Sequence, residues 1–180
     1  MANFSFLNDK PEYADFAKNC IDAEEGFKTS PNACIKLVRT AMEAAVKWLY
    51  KKDKSFVKVN HSQTNEKESF LALTSTPTFQ KALGNDLTQK VHFCRKAGNQ
   101  AVHNEREFSN DDALKSLICL FDFVQWIDKR YGKNYTARTF DPEEVPAEDS
   151  ALIKFLKSVA LVGGGIILKT LFDKFSNDKS

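Results

Sequence analysis

The chain lacks a charge excess. Its 26 Lys and Arg stand against 24 Asp and Glu, a net charge of only +2 over 180 residues. A dedicated duplex binder usually carries a stronger basic bias. The four cysteines, Cys20, Cys34, Cys94 and Cys119, form no C-x-x-C. Each lies in an apolar helical context, so reduced core thiols are expected rather than disulfides or zinc. His61, His92 and His103 show no H-E-x-x-H or comparable spacing, and no metal and no cofactor are expected. No internal repeat is visible, and the alternation of a half-buried strand is nearly absent. Met1–Lys10 has neither a basic stretch nor a long apolar run, so no secretory signal is expected there.

What remains is helical periodicity. Pro11 is placed to open a helix to about Phe27, with Tyr13, Phe16, Cys20 and Ala23 as its inner stripe. Ser30-Pro31 is a strong helix start, and Cys34, Leu37, Val38, Ala41, Ala45, Trp48 and Leu49 repeat at three/four spacing to about Lys51. Residues 51–65 read as an exposed basic loop. A short helix over Glu66–Leu73, a turn over Pro77–Leu83 and a reset at Gly84-Asn85 precede a long helix from Asp86 to about Asn104. Ser109 and the acids after it cap a last helix that ends at Tyr131-Gly132. Five or so helices with short connections predict an all-α antiparallel helical bundle.

The long helix carries Arg95, Asn99 and His103 at i, i+4 and i+8. At about 100° per residue these drift only about 80°, so all three share one side. The guanidinium suits phosphate, and an imidazole exchanges protons near neutral pH. Two ordinary explanations compete. Arg95 pairs with an acid such as Glu43, and Asn99 and His103 bridge helices as satisfied interior groups. Arg39 and Glu43, themselves i, i+4, read as an intrahelical ion pair.

The run Arg95-Lys96-Ala97-Gly98-Asn99-Gln100-Ala101-Val102-His103 resembles the R-x-x-G-N-x-x-x-H signature of a HEPN-superfamily domain of unknown function, which occurs alone and at the N-terminus of type I restriction-enzyme HsdR subunits. Pro31 to Glu43 is similar to a helix of that family reading roughly A-x-I-K-x-R-x-x-x-E, with one more residue here between Lys36 and Arg39, and Asp112 to Tyr131 is similar to its closing helix. Asn3 to Leu7 also fits, so the resemblance spans about residues 3–140. It implies a helical bundle, a homodimer, and RNA or a nucleotide as ligand. In catalytic HEPN members an Arg and a His cleave RNA without metal, usually in a site shared by two protomers. Carried over, Arg95 is the phosphate clamp, His103 the general acid/base, and Asn99 positions the phosphate or the imidazole. Those members place four to six residues between Arg and His, and here there are seven. The two side chains are then about 12 Å apart along the axis. A kink, for which Gly98 is placed, or a second protomer must close that gap.

Residues 141–150 hold five acids and two prolines and read as a linker between a domain at 1–140 and a tail at 151–180. The uncharged core of the tail, Ser158 to Leu168, is eleven residues, short of the roughly 20 that span a bilayer. Flanking lysines and Gly163-Gly164-Gly165 favour an apolar helix that docks through residues 151–175 on a protein partner or a membrane surface. The sequence therefore predicts a cytoplasmic protein, with attachment to the inner face of the membrane as the variant that the tail allows. The HEPN resemblance implies a defence or toxin-type role, with metal-independent endoribonuclease activity at Arg95, Asn99 and His103 as the expectation. The rivals are a noncatalytic adaptor and a membrane-associated accessory protein.

Overall fold

A computed structural model describes residues 2–56, 69–103 and 106–145. The chain divides into two units, 1–146 and 147–180. The expected docking helix at 151–175, most of the 51–65 loop and the end of the long helix beyond His103 lie outside the described residues. Within them there are five α-helices and no strand: α1 (Ala17–Gly26), α2 (Pro31–Lys52), α3 (Phe70–Thr74), α4 (Pro77–Val102) and α5 (Asn110–Tyr131). No helix among the described residues is long and apolar enough to cross a membrane.

The starts of these helices follow the side-chain oxygens. Ser30, Ser69, Thr76 and Ser109 each accept a hydrogen bond from the backbone N–H three residues on, satisfying a donor that the first turn leaves free. At α5 the bond is reciprocal: the Asp112 carboxylate accepts from the Ser109 N–H at 3.1 Å, which completes a capping box. The first helix is shorter than the periodicity predicts. Pro11–Tyr13 is a 3-10 turn, and Phe16 leaves helical geometry at φ −137°, so α1 begins only at Ala17. The Pro77 turn and the motif helix form one element broken at Gly84, whose φ of +73° and ψ of 173° are open to glycine alone without strain.

Helix α2 is the centre of the bundle and packs on each of the other four. Trp48 shows how. Its ring lies 5.3 Å from Tyr13, 5.6 Å from Phe16 and 5.8 Å from Tyr131, all edge-on. Its Nε1 donates to the Glu12 carbonyl at 3.0 Å. Such ring pairs contribute about 0.5–1.5 kcal/mol each beyond area burial. Contacts between Tyr50 and Phe79, and between Arg39 and Asn99, set α2 and α4 antiparallel. Trp48 on Tyr131 and Asn32 on Phe108 set α2 and α5 parallel. All four cysteines are buried and free.

Two buried carboxylates bind the ends of the domain to this frame. Glu24 accepts from the Asn3 N–H at 2.9 Å and from Asn3 Nδ2 at 2.7 Å. Asn3 Oδ1 in turn accepts from the Asp141 N–H at 2.6 Å. Asp128, with no solvent exposure, takes Lys10 Nζ at 2.5 Å, the Tyr13 hydroxyl at 3.0 Å and Arg138 Nη1 at 3.3 Å. Burial and the Asp128 carboxylate push the Tyr13 phenol up, so it donates as a neutral hydroxyl. Removing one member of a buried charge set strands the others. Asp128→Ala is therefore expected to lose about 3–5 kcal/mol in urea unfolding, with Asp128→Asn in between. An Asp128→Ala loss no larger than that of an exposed carboxylate, measured on Glu25→Ala, would contradict this account.

Candidate functional site

Arg95, Asn99 and His103 occupy α4 and its end, and the structure separates their roles. Arg95 is half-buried, and its Nε is withdrawn from solvent with no hydrogen-bond partner among the described residues. The pairing with Glu43 does not occur. Glu43 instead serves its own helix, at 3.4 Å from Arg39 Nη1 and 2.8 Å from Lys47 Nζ. The i, i+4 geometry on α2 favours those partners over one across the helix interface. Arg39 reaches further: its Nε donates to Asn99 Oδ1 at 2.7 Å. Asn99 thus orients the α2 guanidinium. His103 is the exposed C-cap residue, with φ −85° and ψ 2°, and its N–H bonds the Asn99 carbonyl at 3.1 Å. The helix ends at Val102, so His103 stands at the rim of the site.

Gly98 does not kink α4, whose only non-helical residue is Gly84. Its purpose is proximity. A methyl group at position 98 would overlap Cβ, Cγ and Cδ of Arg39. The missing side chain lets the Arg39 stem lie directly on the α4 backbone, which carries its guanidinium to Asn99 and into the field of Arg95.

The result is a concentration of positive charge. Burial and the nearby Arg39 both disfavour the charged form of Arg95, yet a guanidinium stays protonated. His92, one turn earlier, is held below its ordinary value by burial, then by Arg95 and by Lys96. Positions 92, 95, 96 and 99 lie at helical spacing, so the α4 half of the cluster is readable from sequence. The intrahelical pair of Arg39 with Glu43 is readable from sequence and present, whereas no local pattern announces its cross-helix bond to Asn99. Arg39, held by Glu43 and Asn99, and Arg95, whose Nε has no partner among the described residues, bring two guanidiniums together from facing helices, and guanidinium donors match a phosphate or carboxylate. Among the described residues no group of three or more His, Cys, Asp or Glu is placed to hold a metal ion.

Two outcomes follow. Gly98→Ala is expected to cost about 1–3 kcal/mol, as overpacking does, and to shift the amide resonances of Asn99 as Arg39 is displaced. His92 should titrate below 6.5 by NMR and move upward in Arg95→Ala. Because its folded pKa is depressed, the unfolded chain takes up the proton first. Stability should thus fall as pH drops below about 6.5, and less so in His92→Gln. A thermal midpoint indifferent to pH between about 6.5 and 5 would refute this.

The chain matches a family model, described as a domain of unknown function (DUF4145), over residues 22–136. No curated protein and no solved structure matches it. The matched span contains α2, α4 and α5, and with them Arg39, Arg95, Asn99 and His103. By that match over most of its length, the chain belongs to the DUF4145 family.

Proposed function

We propose that this DUF4145 domain is of HEPN type and binds RNA through phosphate, acting as a metal-independent endoribonuclease in a homodimer. The observation that carries the reading is the convergence of Arg39 and Arg95 beside Asn99, with no acid matched to Arg95 among the described residues. Glu43 offsets the charge of Arg39, but Arg95 is left beside it with no acid of its own among the described residues, an arrangement that is unfavourable unless an anion completes the set.

The chemistry is that of 2′-hydroxyl attack. A base removes the 2′-OH proton, the 2′-oxygen attacks phosphorus in line, and the 5′-oxygen leaves with a proton. The products are a 2′,3′-cyclic phosphate and a 5′-hydroxyl. Arg95 and Arg39 clamp the non-bridging oxygens and offset charge that grows in the transition state. Asn99 holds Arg39 in place. His103 moves the proton, as a histidine at working pH can. Its eight-residue offset from Arg95 corresponds to about 12 Å along the axis. The reading therefore places the reacting phosphate between two copies of the site.

One observation favours a second reading, RNA or nucleotide binding without cleavage. His103 lies exposed at the helix end, and no acid or base is bonded to its ring among the described residues. The test is incubation of a mixed RNA pool with purified protein in EDTA. Wild type should yield 2′,3′-cyclic ends. Arg95→Ala should be about 10²–10³-fold slower and His103→Ala about 10²–10⁴-fold slower, both with unchanged far-UV circular dichroism. Retention of RNA by wild type without cleavage, lost in Arg39→Ala and Arg95→Ala, would assign the domain to binding alone. Neither cleavage nor retention would end both readings.

A further inference from the structure

A cleft of about 380 Å³ lies between α4, α5 and the segment after α5. Leu83 and Leu87 give it apolar surface, and Trp126 and Tyr135 give it aromatic walls. Most of its charge is already matched. Lys90 Nζ lies 3.0 Å from Asp86 and 3.0 Å from Asp122. Trp126 is stacked on Phe123 at 6.1 Å and 7°, which fixes the plane of the indole.

Gln125 breaks the pattern. It lines the same cleft, yet its Oε1 and Nε2 are both withdrawn from solvent with no hydrogen-bond partner among the described residues. A buried carboxamide with both ends unsatisfied is rare, because each end forfeits its bonds to water. The group that satisfies it must present one acceptor and one donor side by side. The lining charges, Asp86 and Asp122 against Lys90 and Lys129, balance to zero, and the Arg130 guanidinium that lies 5.6 Å from the Trp126 ring is itself matched by Asp53. That balance does not attract a phosphate. A flat, uncharged ring with an adjacent donor and acceptor satisfies every condition, and the volume suits a small ligand, for which pockets hold about 300–1,000 Å³.

We propose that this cleft is a nucleobase site, with adenine as its best fit. The Gln125 carboxamide turns about its terminal bonds to pair with the exocyclic amino group and the neighbouring ring nitrogen, the bidentate match of glutamine to adenine. The ring lies against Trp126 and Tyr135, since aromatic side chains are stacking platforms for bases. The site is distinct from the Arg39–Arg95 cluster and does not rest on the ribonuclease reading.

The experiment is calorimetric titration of the full chain with adenosine, beside purine riboside, which lacks the exocyclic amine. Adenosine should bind saturably at one site. Purine riboside should bind on the order of ten- to hundredfold more weakly, the discrimination expected of a bidentate pair. Gln125→Leu should lose adenosine by a similar factor while its thermal midpoint stays at or above that of wild type, because two unsatisfied polar atoms are gone. Arg95→Ala should bind adenosine as wild type does. Absence of saturable adenosine binding at millimolar concentration overturns the proposal, as does equal affinity for the two nucleosides. The comparison of nucleosides uses wild type alone, so it decides the matter even if the Gln125 variant fails to fold.

Discussion

The close approach of α2 and α4 at Gly98 is the constraint on which the candidate site depends. α2 contacts every other helix, so the depth at which α4 seats against it is fixed by what its interface residues allow. A bare Cα at position 98 permits the aliphatic stem of Arg39 to fill the space a side chain would take. A long charged side chain used in this way buries its stem and frees its head. The head is then delivered to Asn99 on the partner helix, and its charge is felt by Arg95. One absent methyl group thus couples helix packing to electrostatics.

A second constraint lies at the ends of the domain. Glu24 and Asp128 sit inside the family-matched span of 22–136, but most of what satisfies them lies outside it: Asn3 and Phe4 for Glu24, and Lys10, Tyr13 and Arg138 for Asp128. A buried carboxylate without partners is far more costly than an exposed one. The stable unit is therefore wider than the match. It includes the N-terminal 3-10 turns and the strap that runs to Val145, whose Phe140 and Val145 are buried.

Much of the fold was legible because local chemistry agreed with tertiary need. Ser30-Pro31 and Ser109 with Asp112 cap the helices they were expected to cap, and the three/four stripe of α2 is buried as read, Leu37 excepted. The misreadings fall where tertiary contact decides. The stripe of Tyr13 and Phe16 was correct as burial and wrong as helix: 3-10 turns can bury aromatic rings without i+4 periodicity. Gly98 was read as a backbone feature, whereas its meaning lies in Arg39, 59 positions away in the chain. Arg39 does form its expected pair with Glu43, but its second bond, to Asn99, has no signal in the sequence. An i, i+4 acid is visible in sequence, and a carboxamide on another helix is not.

Departures from local satisfaction are where function is most economically sought. Among the described residues, buried polar side-chain atoms without a partner occur on Thr88, Arg95 and Gln125. Two of these three sit in the places argued to meet a ligand. They also divide the chemistry of a nucleotide between them: a cationic fork suited to phosphate, and a neutral carboxamide beside aromatic rings suited to a base. If the proposed reading holds, this division would let a chain with a net charge of only +2 address a polyanion. Attraction to phosphate depends on the local field rather than on the total, and a few guanidiniums in a partly buried setting are screened less than a broad basic surface. A binder of this kind releases few counterions, so its affinity should fall gently with salt. Its selectivity would then come from the shape and edge of what it holds rather than from charge.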